Sequence, residues 1–461
     1  MIQKSSEASV AAVILAAGKG TRMKSPYPKV MHTVAGWSLL RHVLEALRPL
    51  QPSSVVSVIG PEGAEAAGGN VEREVNAVYL DAVTVVQEER LGTGHAVQVA
   101  LPFLSTNPAD VVLILYGDTP FIRPETLSKM VQKVQTGDDV LVLGFEPKEA
   151  AEYGRLVCQG EKGNQTLLEI VEYKDADDEQ RLIGMCNSGV MAVRGEHLDL
   201  LLSKLDNNNA KSEYYLTDLV AFARGEGLQC GVTFCTEHEV LGINSQIDRA
   251  SAEAIKQQEL RKNAMDGGIM MVAPDTVFLS MDTVIGQGVT LHPNVVIGPR
   301  VTIADGVEIK SFSHLEGANI ASGAVVGPYA RLRPGSEVGE GVKIGNFVEI
   351  KNVTLEADAK VSHLTYLGDA KVGKNANIGA GTVTCNYDGY NKFTTVIESD
   401  AFVGSNTSLV APVRVGSGAI VGAGSTVTKD VASGSIMRND MMQRHFSDAA
   451  VEFRKKREDS S

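Results

Sequence analysis

The sequence predicts two parts: a Rossmann-like α/β unit with a mixed sheet, then a left-handed parallel β-helix of hexapeptide repeats. Two observations predict the second part. From Ile285 an aliphatic residue recurs at every sixth position, through Leu291, Ile297, Ile303, Ile309 and Leu315. After a step of five the beat continues through Ile320, Val326, Leu332, Val338, Ile344 and Ile350, and it resumes from Val403 to Val427. A period of six fits neither a helix, at 3.6, nor an alternating strand, at 2.0. It is the repeat of a coil with three short sides, about 18 residues round, whose aliphatic side chains stack inward. The residue after the aliphatic one is often glycine, as at Gly286, Gly298, Gly345 and Gly404, which is expected to let the chain turn its corners. A third observation predicts the first part. Val10–Ala17, Ser53–Ile59, Val83–Gln87 and Val111–Leu115 are short apolar runs of the kind that a parallel sheet buries on both faces.

Composition narrows the function. The chain has 461 residues, a hydrophobic fraction of 43% and 46 glycines, a high number that suits a coil rich in tight corners. A net charge of -13 excludes the basic footprint of a nucleic-acid binder but leaves room for anionic small substrates, which need only local arginine and lysine. Five cysteines, Cys158, Cys186, Cys230, Cys235 and Cys385, show no zinc spacing and read as free thiols of a reducing cytoplasm. Val10–Ala17 is followed at once by Gly18-Lys19-Gly20, which argues for a strand and loop rather than a secretory core. No run is long enough to span a bilayer, so the expected location is cytoplasmic. The expected boundaries are a first domain over 1–246, a linker helix over 247–267, the β-helix over 268–436 and a tail over 437–461, with a short helix from Ser447 to Arg457.

In chain order, Gly18-Lys19-Gly20-Thr21-Arg22-Met23 closes the first strand. A glycine-rich loop there turns backbone N–H groups onto phosphates, or is simply a tight turn into a helix. It lacks the Walker A lysine-serine pair, and Met23 stands where a dinucleotide fingerprint has its third glycine. Lys29 follows in Pro28-Lys29-Val30. Gln87 to Ala96 is a polar loop with two glycines that opens a helix. The strand over Val111–Leu115 ends in Tyr116-Gly117-Asp118, and Asp118 at a strand's carboxyl end is either a cap or a ligand for Mg2+. Pro61 to Glu74 reads as a solvated loop and helix without a motif. Ser245 to Met265, without Gly or Pro, reads as a helix roughly 30 Å long.

Function in the second half must come from what breaks the beat. Arg333 and Lys351 follow aliphatic residues where glycine is usual, one full coil apart, so they stack about 4.8 Å apart on one edge. Two such cations either bind an anion between them, such as a sugar phosphate, or are both solvated. His363 is either structural or a proton acceptor near neutral pH. Cys385 to Lys392 leaves the six-residue beat altogether, and insertions of that kind gather ligand contacts.

Leu15-Ala16-Ala17-Gly18-Lys19-Gly20-Thr21-Arg22-Met23, with Pro28-Lys29-Val30, resembles the signature of the sugar-phosphate nucleotidyltransferases. Gln87 with Leu91 to Ala96, Tyr116 to Asp118, Tyr153-Gly154-Arg155, Asn187-Ser188-Gly189 and Gly242-Ile243-Asn244 resemble the members that use N-acetylglucosamine 1-phosphate. In the second half, Arg331 to Pro334, Asn346 to Lys351, His363 to Asp369, Asn377 to Thr382 and Cys385 to Gly389 resemble an acetyltransferase half joined to the same enzymes. The resemblance runs roughly from Val10 to Val431. It is to the bifunctional N-acetylglucosamine-1-phosphate uridylyltransferase and glucosamine-1-phosphate N-acetyltransferase family.

That resemblance implies UTP, glucosamine 1-phosphate, N-acetylglucosamine 1-phosphate and acetyl-CoA as substrates, Mg2+ as cofactor and a homotrimer. It implies that Leu15, Ala16, Ala17, Gly18, Arg22, Lys29, Gln87, Gly92, Thr93, Tyr116, Gly117 and Asp118 bind the nucleotide, with Arg22 and Lys29 against the triphosphate. Asp118 and Asn244 would hold Mg2+, and Gly154, Glu172, Asn187 and Asn244 the acetylated sugar phosphate. Arg333, Lys351, Tyr366 and Asn377 would bind glucosamine 1-phosphate, with His363 as general base. Ala380, Asn386, Tyr387, Ser405, Ala423 and Arg438 would contact acetyl-CoA. Glu152 and Met185-Cys186, beside the implied sugar pocket, depart from the family's usual residues. Two rivals stay open: a nucleotidyltransferase whose β-helix is a structural trimerisation module, and one for another sugar or base. A β-helix metal enzyme is disfavoured, since His292, His314 and His363 form no clear three-histidine set.

Overall fold

The computed structural model describes residues 9–61, 71–105, 109–150, 152–160, 165–209, 212–439 and 446–458. The chain divides into two compact units, Met1–Lys256 and Gln257–Ser461.

In the first unit the strand Val10–Ala16 carries no polar side chain and is buried along its whole length. Its odd residues Ala11, Val13 and Leu15 enter one core, with Ala96, Val97 and Ala100 from the helix Thr93–Ser105. Its even residues Val10, Ala12, Ile14 and Ala16 enter a second core, with Leu40, Val43 and Leu44 from the helix Leu39–Leu47. A strand buried on both faces must be an interior one, and it pairs in parallel with Ser54–Ile59 on one side and Val111–Tyr116 on the other. Val83–Val86 extends the parallel part. Cys186–Arg194 runs antiparallel between Val111–Tyr116 and Val140–Phe145, which makes the nine-stranded sheet of the described residues a mixed one. Leu15 lies opposite Tyr116 in the register. The glycine-rich loop and the Tyr116-Gly117-Asp118 turn therefore leave the sheet side by side. The helix Val71–Val78 falls partly within the expected solvated segment; residues 62–70 of that segment lie outside the described residues.

A 21-residue helix, Gln246–Asp266, carries the unit boundary in its interior. In the first unit, Glu253 accepts the Ala35 N–H at 2.7 Å. In the second, the buried Gln257 amide accepts the Leu279 N–H at 2.8 Å and donates to the Leu279 carbonyl at 2.7 Å.

The second unit is the left-handed β-helix. Its short parallel strands form three ladders in which the partner lies one coil further along: Val284 with Thr302, Thr290 with Glu308, His314 with Arg331. Leu291, Ile309, Val326, Ile344, Val361, Ile378, Val403 and Val421 stack inside, none more than 2% exposed. Between Val383 and its partner Ser408 the coil is longer, and the extra residues form the excursion around Tyr387 to Lys392.

The corners differ from expectation. Apart from Gly327, with φ +97°, the glycines after the inward aliphatic residue do not carry the left-handed backbone. Asn294, Phe312, Tyr329, Phe347 and Leu364 carry it at one edge, with φ from 49° to 62°. The glycine is there for close approach: a Cβ at Gly345 would stand 1.8 Å from the Ser362 carbonyl oxygen of the next coil. Phe312, Tyr329 and Phe347 stack into an exposed column with ring centroids 4.9 and 5.1 Å apart.

The tail contains a helix, Ala449–Glu458; residues 440–445 and 459–461 lie outside the description. No described helix is long and apolar enough to cross a membrane. All five cysteines are free.

Candidate functional sites

The first site is a cavity of about 410 Å³ at the carboxyl ends of the first-unit strands. Leu15, Ala16, Ala17, Gly18, Lys29, Gln87, Gly92, Thr93, Tyr116, Asp118 and Asn244 line it. Gly117 packs beneath, where a Cβ would be 3.4 Å from that of Ala16. Arg22 stands exposed on the short turn Thr21–Met23.

The floor of the cavity gathers charge. Lys29 Nζ pairs with Asp118 Oδ2 and donates to Asn244 Oδ1 at 2.6 Å. Two backbone links aim these oxygens. The Ile243 N–H donates to the Asp118 carbonyl at 3.0 Å, and Asn244 spends its Nδ2 on the Gly242 carbonyl at 3.2 Å, leaving Oδ1 inward. Two hard oxygen donors converging on one cation fit Mg2+, which takes one or two protein oxygens and completes its shell with water and phosphate. No cluster of three or more histidine, cysteine or acidic side chains suited to a metal exists among the described residues.

The cavity wall is held by Gln87, 3% exposed, whose Nε2 donates to the Gly92 carbonyl at 3.1 Å and lies 3.1 Å from His95 Nδ1. Gly92 has φ +107°, and a Cβ there would meet the Tyr214 carbonyl at 2.6 Å, so no other residue fits without movement. Arg90 and Glu213 also line the cavity and were not among the expected residues. Arg90 Nε donates to the Ala17 carbonyl at 2.6 Å, joining the two loops. Arg90 sits inside the Gln87–Ala96 run that drew attention. Glu213 has no sequence signal and arrives because the Tyr214 N–H donates to the Leu91 carbonyl at 2.7 Å.

Gly154, Glu172 and Asn187 gather nearby. The Asn187 N–H donates to the Gly154 carbonyl at 2.9 Å, and Thr217 Oγ1 donates to Glu172 Oε1 at 3.5 Å. Burial raises the Tyr116 phenol, and the charges of Asp118 and Glu172 raise it further. Arg155, 2% exposed, supports this end by donating to the carbonyls of Ala150 at 3.2 Å, Arg181 at 3.3 Å and Tyr153. Burial, then the charges of Asp206, Glu172 and Asp175, raise the Asp218 carboxyl to about 6.

The second site lies on the β-helix. Arg333 and Lys351 stand one coil apart on one edge, as their spacing requires, with the Arg333 N–H donating to the Ile350 carbonyl at 2.9 Å. Arg333 is not left as a bare cation, since its Nη1 donates to Glu349 Oε1 at 2.9 Å. Lys351 is held below the usual lysine range first by Lys392 and then by Arg333. Lys392, on the excursion, is the residue that sequence reasoning missed: it was seen only as part of an insertion. A Cβ at Gly368 would lie 2.5 Å from the Tyr366 hydroxyl and 2.8 Å from Asn386 Nδ2, so those two groups meet over Gly368. Asn386 Nδ2 donates to Asp369 Oδ2 at 2.5 Å, anchoring the excursion. Tyr387, bridged to Lys392 within the excursion, is 59% exposed.

His363 is exposed, with Nδ1 2.6 Å from Asn346 Oδ1. His363, Ala380, Ser405 and Ala423 follow one another down a single edge: the Gly381 N–H donates to the His363 carbonyl, that of Asn406 to Ala380, that of Gly424 to Ser405. Arg438 lies against Gly422 at the end of this column. Asn377 stands on a different ladder from Tyr366. One chain thus brings Arg333, Lys351, Tyr366 and Asn386 together, and sets Asn377 apart from them on another ladder.

The MobA-like NTP transferase domain family matches residues 12–184. The bacterial transferase hexapeptide family (six repeats) matches 282–317, 317–352 and 394–429. The Bifunctional protein GlmU of Rhodospirillum rubrum is 54% identical over 428 residues, covering 92% of this chain and 93% of the relative. That of Paramagnetospirillum magneticum is 49% identical over 429 residues, 93% and 92% of the two chains. That of Zymomonas mobilis is 46% identical over 448 residues, 97% and 98%. Identity at this level over almost the full length of both units is far above what a shared fold alone requires, and the chain belongs to the family of the bifunctional GlmU proteins.

Proposed function

We propose that this chain makes UDP-N-acetylglucosamine in two steps, one in each unit. The β-helix acetylates glucosamine 1-phosphate from acetyl-CoA. The first unit then transfers UMP from UTP to the N-acetylglucosamine 1-phosphate formed, releasing pyrophosphate. The observation that carries the reading is the pairing of two complementary sites in one chain: oxygens of Asp118 and Asn244 converging on a cation below a glycine-rich loop, and the Arg333–Lys351–Lys392 cluster on a β-helix that also bears His363.

In uridylyl transfer, an oxygen of the sugar 1-phosphate attacks the α-phosphorus of UTP in line, and the bond to pyrophosphate breaks. Leu15 to Gly18, Gln87, Gly92 and Thr93 enclose the base and ribose, with Tyr116 and Gly117 forming the base of the pocket. Arg22 and Lys29 neutralise the triphosphate. Gly154, Glu172 and Asn187 bind the acetylated sugar. Asp118 and Asn244 would hold Mg2+, which when bound would neutralise charge on the phosphates. Both reactants are anions, so positioning and charge do the catalytic work and no side-chain nucleophile is needed.

In acetyl transfer, the amine nitrogen attacks the thioester carbon directly. His363 takes the amine proton, and CoA leaves as the thiol. Arg333, Lys351 and Lys392 hold the phosphate, and Tyr366 and Asn377 hold the sugar. Asn386 and Tyr387 orient the acetyl group. Ala380, Ser405, Ala423 and Arg438 line the CoA path. The separation of Asn377 from Tyr366 on different ladders, and the exposed column of Phe312, Tyr329 and Phe347, favour a homotrimer in which neighbouring copies complete the site.

The test is a pair of assays on the full chain: CoA release with glucosamine 1-phosphate, and pyrophosphate release with UTP and N-acetylglucosamine 1-phosphate. Asp118→Asn removes pyrophosphate release and spares CoA release. Chelating divalent metal does the same. Loss of CoA release on chelation would refute the division of labour.

A further inference from the structure

We propose that Asn346 is a positioning residue for His363, holding its ring in the one neutral tautomer that can take a proton through Nε2. The proposal rests on the reading of His363 as the general base. It goes beyond that reading by naming the group that makes the base competent.

The geometry is local and follows from the coil. Asn346 and His363 are register partners on adjacent coils, so their side chains leave the same ladder at the same position. Each stands immediately before a left-handed residue, Phe347 with φ 56° and Leu364 with φ 49°. The main chain of Asn346 already holds this turn, its carbonyl accepting the Leu364 N–H at 3.0 Å. The side chain is thereby free for another task, and its Oδ1 sits 2.6 Å from His363 Nδ1. A carboxamide oxygen has lone pairs and no proton, so the ring nitrogen facing it must be the one that donates. With the proton on Nδ1, Nε2 carries the lone pair. Among the described residues Nε2 makes no hydrogen bond and the ring is exposed, so it is open to an incoming amine.

Which ring nitrogen carries the proton is set by the bond the other one makes. Without a partner, neutral imidazole favours the proton on Nε2, the form that cannot accept there. An acceptor at Nδ1 reverses that preference, and it also aims the ring, which would otherwise turn about its side-chain bonds. The charge that builds on the ring as it takes the amine proton is spread into the same Nδ1–H bond. An amide does this without adding a permanent negative charge beside a site that must admit a phosphate ester and the CoA phosphates. The next residues down this edge, Ala380 and Ser405, offer no ring and no long polar side chain. The pairing is therefore confined to the coil that holds the base.

The test uses the full-length protein and the variants Asn346→Ala, Asn346→Asp and His363→Ala. Nitrogen-15 NMR of labelled histidine reads the His363 tautomer directly, with His363→Ala assigning the signal, and CoA release reads the reaction. The expected result for Asn346→Ala is a shift from the Nδ1–H form to a mixture. With it, kcat for acetyl transfer falls tenfold or more while KM for glucosamine 1-phosphate stays within threefold. Asn346→Asp, which keeps an acceptor oxygen, restores the Nδ1–H form and most of kcat, and also serves as the folding control should the alanine variant misfold. Uridylyl transfer is unchanged in every variant. An Asn346→Ala protein that keeps the Nδ1–H tautomer, or keeps its kcat, overturns the proposal. So does an aspartate variant that folds, transfers uridylyl and yet fails to recover the tautomer. Full activity in His363→Ala would instead strike the general-base reading itself, and the two failures are thus told apart.

Discussion

Lys351 faces Lys392 and Arg333, and both oppose its positive charge. For a lysine whose folded pKa is depressed, the folded state is penalised once pH falls below the unfolded value. That penalty grows until the folded value is passed and is constant at neutral pH. A phosphate dianion between the ammonium groups reverses the sign. Lys392→Ala should therefore raise the Lys351 pKa in lysine-resolved NMR of the free protein, and raise KM for glucosamine 1-phosphate by about tenfold, equivalent to ~1.4 kcal/mol. Asp218 makes the opposite case for a carboxylate. Its folded value of about 6 means that it favours the protonated form, so its contribution to stability is full below the usual carboxylate range and is lost as pH rises through 6. Asp218→Asn should stabilise the first unit by about 1 kcal/mol at pH 7.5, after discounting for solvent screening, and by nothing below pH 4. Urea unfolding at both pH values checks this, and an equal gain at the two would rule it out. Legibility at this scale was uneven. Lys29, Asp118 and His363 stood out from their local sequence: Lys29 just past a glycine-rich loop, Asp118 at the end of a buried strand, and His363 inside the repeat. Lys392 did not, because the repeat sets no path for the excursion that carries it, and its meeting with Lys351 is a contact between coils. Glu213 reaches the cavity through backbone hydrogen bonds of its neighbour Tyr214 with Leu91 and Gly94.

At the scale of elements, the β-helix was legible because each inward position sees the same environment every coil, so the same residue type recurs. The reason for its glycines was not. Sequence shows that a small residue follows the aliphatic one; only the neighbouring backbone shows that the constraint is distance rather than φ. Gly345→Ala should accordingly cost about 1–3 kcal/mol, the usual range for overpacking, because the Ser362 carbonyl must move. Thermal unfolding of the second unit measures it, and a neutral result would mean that the coils slide freely. The helix Gln246–Asp266 was readable from its lack of breakers, but its tether was not. Gln257 completes both backbone groups of Leu279 where the first coil begins. Gln257→Leu leaves a buried N–H and C=O unpaired, at about 1–3 kcal/mol each. The second unit should then lose stability and the first should keep its own, which separate unfolding transitions would report.

At the scale of the whole molecule, two sites that share no residue are joined in one chain. The first needs a cation held by oxygens, and the second needs a histidine with a free nitrogen beside a cluster of cations. The chemistry of each depends on its own unit, so damage to one is expected to leave the other intact. The measurement that tests this most directly is CoA release and pyrophosphate release, side by side, from the wild-type chain and from His363→Ala. The account predicts that the variant loses CoA release by a hundredfold or more while pyrophosphate release from UTP and N-acetylglucosamine 1-phosphate stays within twofold. Undiminished CoA release in the variant, or a wild-type chain that releases pyrophosphate but never CoA, would contradict it and leave the β-helix a scaffold.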